Sequence, residues 1–260
     1  MQDDKRFGSL IRFNAFMGFL HLIQGLGMLV LSVSVEKFSS FKVPVLSNYL
    51  TFDKTLMRLV TVPGKVADLP FTLLVSCFLF LSAIAHFIIV TVGRKKYVED
   101  LGKGINRFRW YEYAVSSSLM IVLIAVLFGI YDIGALIPIF LLNASMNLFG
   151  LLMEELNQFK KRTDWSPFVF GTVAGLGPWI VVLLYAFGNA DPAKVPWFAY
   201  AIVGSYFLFF NLFPINMVLQ YLKKGRWADY LYGERIYIVL SLVAKTVLAW
   251  LVFAGVMQPK

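Results

Sequence analysis

Residues 236–257 read IYIVLSLVAKTVLAWLVFAGVM. The run is long enough to cross a hydrocarbon core, which takes about 20 helical residues. Lys245 sits in its middle. A bare ammonium at that depth costs roughly 2.5 to 3.5 kcal/mol on insertion scales. Nothing within one helical turn neutralises it, because Ser241 lies at i−4, Leu248 at i+3 and Ala249 at i+4. A lysine placed at such cost points to chemistry. The chemistry that suits it is an imine with a carbonyl ligand, the amine serving as covalent anchor.

The rest of the chain fits that helix. Of 260 residues, 59% are hydrophobic and 15% charged, and the mean hydropathy is +0.72. No water-soluble domain of this size has that composition, so the class is an all-α, polytopic membrane protein. Seven apolar segments, at roughly 9–34, 70–92, 108–131, 135–156, 167–188, 197–222 and 234–257, are long enough to span. They form one helix bundle, read as a single domain over 1–260. The alternating pattern of a membrane barrel is absent. The first segment, which contains Asn14, His21 and Gln24, is read as a retained span. The single cysteine, Cys77, excludes an intrachain disulfide. Between the first two spans, residues 35–69 carry the β-leaning stretches KVPVL, NYLTF and LMRLVTV, broken by Pro44 and by Asp53-Lys54. A hairpin over the outer face and an irregular lid are both open readings.

Net charge is +9. Membrane topology accounts for that excess, and nucleic acid is not expected as a partner. Sixteen of the 24 basic residues fall on the amino-terminal side of the bundle, among them Lys5, Arg6, Arg94, Lys95, Lys160 and Lys223. Seven fall on the opposite side, including Lys37, Arg58, Lys194 and Lys260, and the remaining one is Lys245. The bias places the N-terminus in the cytoplasm and the C-terminus outside.

Polar residues inside the spans define a candidate site. Of fifteen carboxylates, Glu112 alone lies a turn or more inside a span; the others fall in tails, loops or helix ends. The third and seventh segments run in the same direction and side chains lean toward the helix N-terminus, so the Lys245 head points toward the depth of Glu112. Glu112 is therefore either its counter-ion or an interfacial carboxylate paired with Arg107 or Arg109. Ser241 and Tyr237 precede Lys245 by one and two turns on the same face. His21 and His86, the only histidines, fall at similar depth. They read either as satisfied core residues or as proton acceptors flanking a cavity. No third ligand at useful spacing supports a metal. Aromatics such as Trp179 and Phe210 suit helix packing or the walls of a slot for a long conjugated ligand. Asn143 and its neighbour Asn147 fit helix glue or a hydrated cavity.

Lys245, Ser241, Glu112, His21 and His86 lie in FNAFMGFLHLIQGLGML (13–29), SAIAHF (82–87), NRFRWYEYAVSSSLM (106–120) and SLVAKT (241–246). The set resembles the heliorhodopsins, inverted-topology microbial rhodopsins, over all seven spans and the long first loop. The resemblance implies all-trans retinal as cofactor, Lys245 as its Schiff-base lysine and Glu112 as counter-ion. It also implies Ser241 as a Schiff-base neighbour, with His21 and His86 around a cytoplasmic-side cavity that takes the released proton. Ser116, Tyr113, Asn143, Trp179 and Phe210 are expected in the retinal site. Ser82, Tyr237, Trp110, Asn106 and Glu234 are expected around the proton-accepting cavity. Pumps resembling bacteriorhodopsin fit less well, since they have aspartate where Ser241 stands and a helix-3 donor where Leu123 stands. The expected function is a light-sensing photoreceptor without net ion pumping, acting through an unknown cytoplasmic partner and dimerising through the 35–69 hairpin. The alternatives are a light-gated proton or ion conductance and a seven-helix protein that binds no retinal. Enzymatic turnover has no nucleophile–base pair behind it.

Overall fold

The computed structural model describes residues 2–188 and 197–257. Among them, seven helices are long and apolar enough to cross a membrane. They are α1 (Gln2–Ser34), α3 (Phe71–Val90), α5 (Arg107–Leu127), α6 (Ile133–Asn157), α7 (Ser166–Phe187), α8 (Trp197–Tyr221) and α9 (Tyr230–Met257). Between the first two lie a short helix, α2 (Glu36–Ser39), and a hairpin of β1 (Lys42–Asp53) and β2 (Arg58–Pro70). A further helix, α4 (Arg94–Gly102), follows α3. The bundle is thus a seven-helix membrane bundle capped by a two-stranded ribbon. Its outer faces are apolar, with Ile23 and Val173 each 64% exposed, as a lipid-facing surface requires.

The spans match the hydropathy reading closely, and the departures have local causes. α1 starts seven residues before the expected boundary at 9, because a polar stretch outside the hydrocarbon can continue a helix. α5 stops at Leu127 and not at 131, because Gly129 turns the chain with φ +88°. α4, RKKYVEDLG, is too polar and too short for a hydropathy signal. It forms because one face is apolar: Tyr97 and Leu101 pack against Leu10, Ile11, Ile89 and Ile238.

The loop 35–69 is a hairpin. Pro44 does not break it, because each strand of a two-stranded ribbon has an unpaired side where a missing N–H costs nothing. The break at Asp53-Lys54 is the turn itself, where Asp53 Oδ1 accepts from the Thr55 and Leu56 amides at 2.7 and 3.0 Å. The ribbon docks on the α5–α6 turn. The Leu46 amide donates to the Tyr131 carbonyl at 2.9 Å, and Asn48 donates to Asp132 at 2.6 Å. The same Asp132 caps α6 by accepting from the Gly134 amide.

α1 packs chiefly on α3, α5 on α3 and α6, α6 on α7, and α8 on α9. The starts of α1, α5, α7 and α9 gather at one end, which we call the amino-terminal end. There Arg235 donates to Ser9 at 2.7 Å. At the opposite end Lys37 donates to the Met257 carbonyl at 2.6 Å. Lys194 and Lys260, counted with that opposite side, lie outside the described residues.

Candidate functional site

Three helices converge on Lys245. α9 supplies the lysine, α3 supplies Ser82 and α5 supplies Glu112. Lys245 Nζ donates to Glu112 Oε1 and to Ser82 Oγ, each at 2.5 Å, and Ser82 Oγ donates to Glu112 Oε1 at 2.7 Å. The lysine and glutamate side chains are only 4% and 9% exposed. Two charges so buried are tolerated because each neutralises the other, and removing one partner typically costs about 3–5 kcal/mol. The Tyr113 ring faces the ammonium at 5.4 Å, within cation–π reach.

Arg107 and Arg109, the other partners open to Glu112 in the sequence, are engaged elsewhere. Arg107 bridges Asp100 of α4, at 2.7 Å, and Glu155 of α6, at 2.9 Å. Arg109 joins Glu154 of α6 and Glu234 of α9 in a buried triad. Asn106 and Trp110 complete it: the Asn106 amide and the Trp110 indole both donate to Glu154 Oε2, and Asn106 Nδ2 donates to Glu234 Oε2. The guanidinium stacks at 3.9 Å on the Tyr237 ring and at 4.5 Å on Trp110. Glu234 and Tyr237, expected beside the proton-accepting cavity, do not line it: Glu234 is a member of this triad and Tyr237 stacks on its guanidinium. Glu154 carries no sequence signal of its role, because its place near the end of α6 hides the fact that it faces inward.

His21 and His86 stack with ring centroids 5.6 Å apart. His86 Nδ1 lies 2.8 Å from Asn14 Oδ1, and Asn14 Nδ2 reaches the Leu10 carbonyl at 2.9 Å and the Tyr97 hydroxyl at 3.1 Å. Burial raises the Tyr97 phenol above its ordinary range, so it stays protonated. A small cavity of about 30 Å³ lies beside His86, lined also by Asn14, Ser82, Asn106, Arg109, Glu112, Tyr113 and Ser241; His21, expected at it, is not among its lining residues. That volume suffices for a water molecule among polar partners. The sequence marks Asn14 only as a polar residue of the first span and carries no signal of its contact with His86.

On the other side of Lys245 lies a cavity of about 510 Å³ between α5, α6, α7, α8 and α9. Lys245, Ser241, Tyr113, Asn143 and Phe210 line it, with Met120, Phe213 and Tyr206 among its apolar walls. Trp110, expected at the proton-accepting cavity, lines this large one. Its indole fits only because residue 150 is glycine, since a Cβ there would stand 2.3 Å from the ring. Trp179 stands behind the wall, stacked on Tyr206 at 4.6 Å and edge-on to Phe210 at 5.3 Å. Ser116, one turn beyond Glu112, is buried, while its neighbour Ser117 lines the cavity and accepts from Asn143 at 2.8 Å and Asn147 at 3.0 Å.

A buried lysine in the last of seven membrane-length helices lines a large apolar cavity and is paired with a carboxylate of α5, the third of those seven. The heliorhodopsin family profile matches residues 10–257. The chain belongs to the heliorhodopsin family. No curated protein matches it. As a heliorhodopsin it is a retinal-binding, light-sensing membrane protein, a photoreceptor type and not a member of a known enzyme family. The residues present fit retinal: the large cavity falls in the usual 300–1,000 Å³ range for ligand sites, its walls are apolar and aromatic, and the amine-bearing Lys245 lines it.

Proposed function

We propose that Lys245 carries all-trans retinal as a protonated Schiff base with Glu112 as counter-ion, and that the protein signals light without net ion transport. The observation that carries this reading is the position of the Lys245–Glu112 pair between two unlike cavities. Lys245 lines the large apolar one and Glu112 the small polar one, while Tyr113 and Ser241 border both. Retinal supplies absorption of visible light and a light-driven change of shape. Everything else falls to the chain.

In the dark, Glu112 and Ser82 hold the positive charge at Nζ. Light separates Nζ from Glu112, and a buried charge without its partner is costly. The proton then leaves Nζ toward the small cavity, where His86 and the stacked His21 are the neutral bases at hand. Arg109, at the wall of that cavity, is held by Glu154 and Glu234, and the proton returns to Nζ by the way it left. Net transport is nil, and the lasting output is a change of conformation. The basic bias of the amino-terminal end supports a cytoplasmic N-terminus and an extracellular C-terminus. A cytoplasmic partner reads the output, and two chains pair through the apolar ribbon, whose Leu50 is 70% exposed.

Reconstitution with all-trans retinal tests the reading. The expected result is a visible absorption band in the wild type, none in Lys245→Ala, and no sustained pH change on illuminating vesicles that contain the protein. Absence of the band refutes the photoreceptor reading, and a sustained uncoupler-sensitive shift refutes the non-pumping one.

A further inference from the structure

The hydrogen bonds around Asn14 fix which nitrogen of His86 is free to take a proton. Asn14 Nδ2 lies 2.9 Å from the Leu10 carbonyl, and a carbonyl oxygen only accepts. The amide nitrogen must therefore face Leu10, which turns Oδ1 toward His86. Oδ1 is also only an acceptor, and it lies 2.8 Å from His86 Nδ1. Nδ1 must then carry hydrogen. In a neutral imidazole that leaves the lone pair on Nε2. Among the described residues Nε2 has no hydrogen-bond partner, and the ring borders the small cavity with Ser82 and Glu112.

We propose that Asn14 is a positioning residue that holds neutral His86 in the Nδ1–H tautomer, making Nε2 the atom that accepts the proton released from Lys245. The inference rests on the proposed photoreceptor reading for its purpose but not for its geometry. Around the ring stand His21, stacked at 5.6 Å, the Lys245–Glu112 pair across the cavity, and Tyr97 behind Asn14. His21 differs from His86: among the described residues both its ring nitrogens are buried without a hydrogen-bond partner, so none of these residues sets its tautomer. Tyr97 is the second acceptor for Asn14 Nδ2, and it ties the arrangement to α4.

The test is 15N NMR of histidine-labelled protein in the dark, with the His86 signals identified by their loss in His86→Ala. The wild type is expected to show His86 protonated at Nδ1 alone. In Asn14→Leu that exclusivity is lost and an Nε2–H signal appears. In Tyr97→Phe the Leu10 carbonyl still orients the amide, so the Nδ1–H form persists. Flash photolysis of Asn14→Leu should show slower proton release in those molecules where Nε2 already carries hydrogen. A wild type protonated at Nε2 overturns the proposal, as does an unchanged tautomer in Asn14→Leu or a changed one in Tyr97→Phe. The dark measurement needs no photocycle, so its failure is distinct from failure of the protein to form a light-absorbing pigment.

Discussion

Lys245–Glu112 and Arg109–Glu154–Glu234 are both ion clusters buried in an apolar bundle, and a single turn of α5 separates Arg109 from Glu112. They are built for different ends. The triad is densely partnered: Asn106, Trp110 and Tyr230 donate to its carboxylates, and the guanidinium lies on two aromatic rings. An arginine so placed keeps its charge, and it locks the ends of α5, α6 and α9 together. The pair has one carboxylate and one hydroxyl, Ser82, and opens on cavities at both sides. Its cation is a lysine, which can lose a proton and bond covalently to a carbonyl. On the proposed reading, the contrast separates a structural clamp from a reactive site.

Variants that strike one cluster and spare the other test that division. The largest effect is expected for Glu112→Gln in the retinal-loaded protein. With its charge partner gone, the protonated form should give way, and most of the visible band should move to the near ultraviolet in the absorption spectrum. Arg109→Leu leaves two carboxylates facing each other and should destabilise by about 3–5 kcal/mol, read as a lower unfolding temperature in detergent. Neutralising the whole triad with Arg109→Leu, Glu154→Gln and Glu234→Gln should recover much of that loss and leave the visible band in place. A triple variant that loses the band would merge the two clusters into one site. Trp110→Phe removes the 2.7 Å bond to Glu154 and should cost about 1.5–3 kcal/mol, the range for bonds to charged groups. The smallest effect belongs to Asp53→Ala. Water can replace the acceptor at these exposed turn amides, so loss of the two bonds together should cost about 0.5–1.5 kcal/mol and leave the spectrum unchanged.

Hydropathy made the seven spans legible, because backbone in lipid has few alternatives to a helix. It missed α4, whose stability comes from burying Tyr97 and Leu101 on the bundle and not from its own composition. The proximity of Glu112 to Lys245 was readable for a similar reason: two parallel helices of known start fix depth at 1.5 Å per residue. Rotation about the helix axis is a different matter. Nothing in the order of residues said that Glu154 and Glu234 point inward, that Ser117 and not Ser116 lines the large cavity, or that Trp179 stands behind Tyr206 and Phe210. Those facts depend on which face each helix turns to its neighbours, and helices apolar on all sides carry little signal of that.

The central claim is that the Lys245 amine, and no other, carries the chromophore. Borohydride reduction of the retinal-loaded protein, followed by peptide mass spectrometry, tests it directly by converting the imine to a stable amine where it formed. The account predicts a retinyl group on the peptide containing Lys245 and on no other. A visible pigment that reduces without labelling Lys245, or that labels another lysine, would contradict it.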